Sequence, residues 1–128
     1  MNSIQVKEFL SDLIKDKFIF HLSETDWGWT INVMEKSGRA FARTYYLNES
    51  NNTIYFDWLS VDEEFRSVGL ATELLNSHIK VSDFFNLESM LWVNKNTWQE
   101  EWYKRKGYEY YTDYNDGSVW LIKNKSQE

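Results

Sequence analysis

These 128 residues contain no cysteine, no proline and only two histidines, His21 and His78. The missing cysteine excludes disulfides, thiolate metal sites and a cysteine nucleophile. It also permits a reducing interior, so the expected compartment is cytoplasmic. Two histidines do not make a multi-histidine centre, and no metal is expected. Without proline, helix and strand boundaries lose one breaking signal. No run of about 18 apolar residues exists, so no membrane-spanning helix is expected. The opening "MNSIQVKEFLSDLIKDKF" scatters acids through a polar–apolar mixture, unlike a signal or transit peptide. Basic charge is in deficit: 14 Lys and Arg stand against 20 Asp and Glu, a formal net charge of −6. Nucleic-acid binding needs phosphate-neutralising cations and is not expected. A negative field instead favours a cationic partner.

Aromatic residues are plentiful: seven Trp, eight Tyr and eight Phe, 18% of the chain. Each buries on the order of 150–250 Å², so a few of them build a core. The length suits one domain, residues 1–128, able to bury roughly two-thirds of its unfolded surface. No linker, repeat or low-complexity tract divides it.

Along the chain, Val6, Phe9, Leu10, Leu13 and Ile14 recur at helical spacing. "KFIFHLSE", "WGWTINVMEKSG" and "RAFARTYYLN" read as strands of an antiparallel meander, and "NESNN" as a turn cluster. "TIYFDWLSV" is the clearest strand. Simple alternation puts Tyr55, Asp57, Leu59 and Val61 on one of its faces. A helix is predicted from about Leu70 to Val81, with Ala71, Leu74, Leu75 and His78 on its inner face. His78 reads there as a half-buried packing residue rather than a catalyst. "SMLWVN" follows as a strand.

"TWQEEWYKRKG" carries the marks of a short helix. Thr97 and Glu100 have capping-box spacing, and Trp98 and Trp102 stand at i, i+4. Lys104, Arg105 and Lys106 suit the last turn, with Gly107 as the stop. "YEYYTDY" and "SVWLIK" close as a hairpin around Asp116-Gly117, whose edge is open to a dimer that nothing in the sequence requires. Strand–helix–strand over residues 54–93 implies a right-handed crossover and a parallel pair. The expected fold is α/β: a mixed, mostly antiparallel sheet with a central parallel pair and helices packed on both faces.

"VDEEFRSVGLATELL", residues 61–75, places a glycine between the clearest strand and the helix after it. Its plain reading is a strand-to-helix connection. Its functional reading is an anion site, because a helix start combines unpaired N–H groups with the positive end of a dipole. Gly69 would let a phosphate approach the backbone, and Ala71 would keep the first turn uncrowded.

The longer segment "LSVDEEFRSVGLATELL" resembles the coenzyme-binding segment of the GCN5-related N-acetyltransferase (GNAT) family. Arg66, Gly69 and Ala71 fill the Arg/Gln–x–x–Gly–x–Gly/Ala places, and Val61 and Phe65 stand where the family has a Val and an aromatic. "LWVNKNTWQEEWYKRKGY" is similar to the second half of the family pattern, with Asn96, Tyr103 and Gly107-Tyr108 in its places. The resemblance covers roughly residues 39–123. The chain departs from the family with Ser67 and Val68 where basic residues are common, with Glu63 for a usual Pro, and with one N-terminal helix instead of two.

The resemblance implies acetyl-CoA as cosubstrate and a primary amine as acceptor: a protein lysine, a protein N-terminus or a small cationic amine. The parallel strands would splay into a V. Coenzyme-binding positions would be Leu59, Ser60 and Val61 along the pantetheine arm, and Arg66, Ser67, Val68, Gly69, Leu70, Ala71 and Thr72 at the diphosphate. Asn96 and Tyr103 would complete the set. Tyr103 takes the place of the general acid. Asp57 is the candidate to deprotonate or attract the amine, and Tyr55 to line the acceptor pocket. Trp27, Trp29, Tyr45 and Tyr46 are candidates to grip the acceptor, core packing being the alternative. No cysteine and no visible Ser–His pair offer a nucleophile, which favours direct transfer. A second reading keeps the scaffold without the chemistry, as an interaction protein whose acidic, aromatic surface binds a basic partner.

Overall fold

The computed structural model describes residues 3–13, 18–49, 52–63 and 69–124. Helix α1, Ser3–Leu13, is followed by strands β1, Phe18–Thr25; β2, Gly28–Glu35; β3, Ala40–Leu47; and β4, Thr53–Val61. Helix α2, Leu70–Phe84, then leads to β5, Glu88–Asn94. Helix α3, Trp98–Arg105, and the strands β6, Glu109–Asp113, and β7, Ser118–Lys123, complete the order. The seven strands form one sheet in the order β1-β2-β3-β4-β5-β7-β6. Only β4 and β5 run parallel. No described helix is long and apolar enough to cross a membrane.

Period-2 burial explains the first strands: in β3, Ala40, Ala42, Thr44 and Tyr46 are buried while the residues between them are not. Their cross-strand partners across β4 are Val61, Leu59, Phe56 and Ile54. The spacing jumps between Phe56 and Leu59 because the β3–β4 register shifts at Arg43/Thr44. One extra β4 residue is accommodated there as a bulge. The bulge inverts the alternation, so Leu59 and Val61 share a face with Phe56, not with Tyr55 and Asp57. The expectation of one face for Tyr55, Asp57, Leu59 and Val61 is therefore corrected.

The core lies against that buried face. Ile31, Ile54, Leu74, Leu75, Leu91 and Leu121 are almost wholly covered, each burial contributing about 2 kcal/mol. Leu10 of α1 and His78 of α2 share a small space with Ile31, Ala42 and Phe56, and Tyr103 of α3 sets its ring edge-on to Phe56 at 6.5 Å. The mixed sheet and its parallel pair are as expected, but the helices are not divided between its faces. All three described helices meet the face of Phe56, through Leu10 of α1, His78 of α2 and Tyr103 of α3.

The opposite face carries a row of rings: Tyr45 stacks on Tyr55 at 4.8 Å, Tyr55 meets Trp120 edge-on at 6.0 Å, and Tyr114 lies 5.0 Å from Trp120. At the other end of the chain α3 starts as its sequence implies. The Glu100 N–H donates to Thr97 Oγ1 at 3.3 Å, and Glu100 Oε1 accepts from the Asn96 N–H at 2.9 Å.

Candidate active site

The β4–β5 ladder runs over only Thr53–Tyr55 opposite Glu88–Met90. Beyond it β5 is paired with β7 alone, and a cleft of about 400 Å³ opens beside β4. Leu59, Ser60 and Val61 form one wall, Gly69, Ala71 and Thr72 close one end, and Trp98, Gln99, Trp102 and Tyr103 of α3 form the other wall. Its volume is that of a small-molecule site, about 300–1,000 Å³.

Gly69 is the N-cap of α2, with φ 83° and ψ 8° and no side-chain cap. This left-handed conformation is open to glycine at little cost. The first-turn N–H groups of an α-helix have no intrahelical acceptor, so here they face the cleft with the positive end of the helix dipole. Ala71 and Thr72 line the space directly, whereas the Leu70 side chain is buried in the core. Arg66, Ser67 and Val68 lie outside the described residues.

Tyr103 is half-buried between Phe56, Trp102 and Tyr108 and lines the cleft. Burial pushes its hydroxyl up to about 12, because the phenolate would lose its hydration. The group is thus a phenol at neutral pH. Among the described residues no side chain bonds its hydroxyl, which leaves a proton donor at the cleft wall.

Asp57 lies across the strand. Its carboxylate accepts from Arg43 Nε at 3.0 and 3.1 Å and from Nη2 at 2.9 Å. The Asp57 hydrogen bond raises the Arg43 guanidinium above its usual value. The pair borders a separate cavity on the outer face, lined by Trp27, Thr30, Arg43, Tyr45, Leu47 and Asp57. Of the four aromatics considered for gripping an acceptor, Trp29 and Tyr46 are core and stacked at 5.4 Å, while Trp27 and Tyr45 line this cavity. The sequence pattern could not sort them, since Trp27 and Trp29 differ by one full strand period.

Asn96 is exposed with φ 59°. Its N–H serves the start of α3, and its side chain is not among the groups lining the cleft. Trp98, Gln99 and Trp102 are the cleft residues that motif reasoning passed over. Their i, i+1 and i+4 spacing puts them on the same helix flank as Tyr103, and that periodicity is the signal that could have found them.

A Ser–His pair does exist in the fold. His78 Nδ1 is 2.7 Å from Thr44 Oγ1, His78 Nε2 is 2.5 Å from Ser89 Oγ, and Ser89 Oγ is 2.7 Å from the Tyr108 hydroxyl. Ser89 is 0% and His78 3% exposed, so this chain ties β3, α2, β5 and the connection between α3 and β6 together inside the core. No substrate can reach the serine.

Residues 14–108 match a family model described as the acetyltransferase (GNAT) family. No curated protein matches the chain. Among solved structures, the chain is similar to the PaiA N-acetyltransferase from Thermoplasma acidophilum in complex with coenzyme A, at 14% identity over 94% of this chain and 69% of that one, TM-score 0.60. It is similar also to a GNAT family acetyltransferase from Elizabethkingia anophelis with acetyl-CoA bound, at 12% identity over 86% and 99%, TM-score 0.63. The ribosomal-protein-S18-alanine N-acetyltransferase from Escherichia coli is a further likeness, at 15% identity over 95% and 78%, TM-score 0.60. At such identities these likenesses establish the fold.

Proposed function

The chain belongs to the acetyltransferase (GNAT) family, and on that premise we propose that it moves an acetyl group from acetyl-CoA directly to a primary amine. One observation carries this reading: the wall of β4 beyond its ladder, the uncapped first turn of α2 and the phenol of Tyr103 border a single cleft. Leu59, Ser60 and Val61 would bind the pantetheine arm along the strand. The amides at Gly69, Ala71 and Thr72 would hold the diphosphate, and the indole faces of Trp98 and Trp102 would shield the thioester from water. The coenzyme supplies an acyl carbon activated as a thioester.

Protons are moved by two groups in this scheme. Asp57 receives the proton released by the attacking amine, directly or through water, as the C–N bond forms. Tyr103 donates its hydroxyl proton to the sulfur as the C–S bond breaks, and is reprotonated from solvent. The buried Ser89 takes no part, so no acyl-enzyme forms.

Calorimetry of the purified chain with acetyl-CoA, beside a thiol-release assay with a panel of primary amines, tests the proposal. Saturable binding and amine-dependent thiol release are expected. Absence of any heat or competition by coenzyme A would remove the enzymatic reading, and coenzyme binding without release would favour a fold that has kept only the site.

A further inference from the structure

The cavity on the outer face sits back to back with the coenzyme cleft at the β4 bulge. Leu59 lines one and Asp57 the other, although they are only two residues apart, because the bulge turns them to opposite sides of the sheet. The ring of Phe56, immediately before Asp57, abuts Tyr103 on the coenzyme side. A thioester beside Tyr103 and an amine beside Asp57 would therefore approach the same few atoms of β4 from two faces, where β4 and β5 are no longer paired.

The lining of this cavity is chemically selective. Trp27, Tyr45 and Leu47 are apolar surfaces, and Thr30 is neutral. Only Arg43 and Asp57 are charged, and they neutralise each other in a forked ion pair. The cavity thus has no net charge despite the acidity of the whole chain. From Tyr45 the ring surface continues to Tyr55 and Trp120. Ring faces attract one ammonium at short range and accept flat apolar groups along their edges, but they do little for several separated charges.

Resting on the acetyl-transfer reading above, we propose that this cavity is the acceptor site and that it takes a monoamine carried on an aromatic or apolar body, in preference to a polyamine or a lysine in a basic peptide. The ammonium end reaches Asp57, and the body lies on Trp27 and Tyr45. The ammonium first passes one proton through Asp57 to solvent. The neutral amine then attacks, and a second N–H proton goes to Asp57 as the C–N bond forms. Tyr103 protonates the sulfur as the C–S bond breaks and is reprotonated from solvent, so the exchange balances with one proton released.

The test is a rate comparison on the full chain with acetyl-CoA and three acceptors: phenethylamine, spermidine and a lysine-bearing basic peptide. Phenethylamine should have the highest kcat/KM by about tenfold or more. Trp27→Ala, at an exposed position, should raise its KM about tenfold with the acetyl-CoA Kd unchanged. Arg43→Ala, which leaves Asp57 without its neutralising partner, should shift preference toward spermidine. Turnover with spermidine or the peptide preferred, or a phenethylamine KM untouched by Trp27→Ala, overturns the inference while leaving acetyl transfer intact. Coenzyme binding with none of the three acetylated overturns it as well. Failure to bind acetyl-CoA removes the underlying reading and this one with it. Sedimentation as a dimer that Trp27→Ala dissociates would give the face to a second copy and also overturns the assignment.

Discussion

Lowering the pH from 7 to 5 should destabilise the folded chain by about 2 kcal/mol through His78 alone. The ring is buried between Thr44, Ser89 and Phe56, and burial pushes its pKa from 6.5 to about 3. The penalty does not come from hydrogen bonding. Both hydroxyls can turn to accept from an imidazolium, with Ser89 then donating to Tyr108. What is lost is the hydration of the charge. Between pH 6.5 and 3 the unfolded chain therefore holds one proton that the folded chain does not. A group depressed in this way contributes stability that is present above pH 6.5 and is lost as the pH falls, at about 1.4 kcal/mol per unit.

Urea unfolding at pH 7, 6 and 5 measures it, with His78→Gln as reference. Glutamine keeps a hydrogen-bonding side chain but cannot titrate. The variant starts less stable by roughly 1–3 kcal/mol and should have a flatter profile over that range. Glu35, held below its usual value by hydrogen bonds from Ser37, titrates lower and is common to both proteins. Parallel profiles for wild type and variant would refute the argument, because the ring would then be reaching water.

Tyr103→Phe removes the phenol and keeps the ring against Phe56 and Tyr108. We expect kcat to fall about 10²–10⁴-fold with acetyl-CoA affinity nearly unchanged, read by steady-state kinetics beside calorimetry. Gly69→Ala adds a Cβ that meets nothing within 4 Å, so its penalty is the left-handed backbone alone, about 1–2 kcal/mol by denaturant titration, with weaker coenzyme binding if the first turn relaxes. Thr97→Ala removes the cap of α3 and should lose about 1 kcal/mol. Because that helix carries the Trp98–Tyr103 wall, the acetyl-CoA Kd should rise too.

Much of the architecture was written into single stretches of chain. Thr97 and Glu100 marked the start of α3, and Asp116-Gly117 the last turn, because caps and turns depend on residues a few positions apart. Two short segments, around Gly69 and Tyr103, carried the family resemblance, and in the fold both segments border the same cleft. The side of the sheet that Asp57 faces depends instead on a register shift between β3 and β4, which no periodicity within one strand can reveal. The same limit hid the Thr44–His78–Ser89–Tyr108 chain: its members come from β3, α2, β5 and the connection between α3 and β6, and meet only when the sheet and α2 pack. It also hid the difference between Trp27, open beside the ion pair, and Trp29, closed in the core. Local chemistry determined which elements form. Packing decided which residues share a space, because contact between distant segments follows from burial of the whole apolar surface at once.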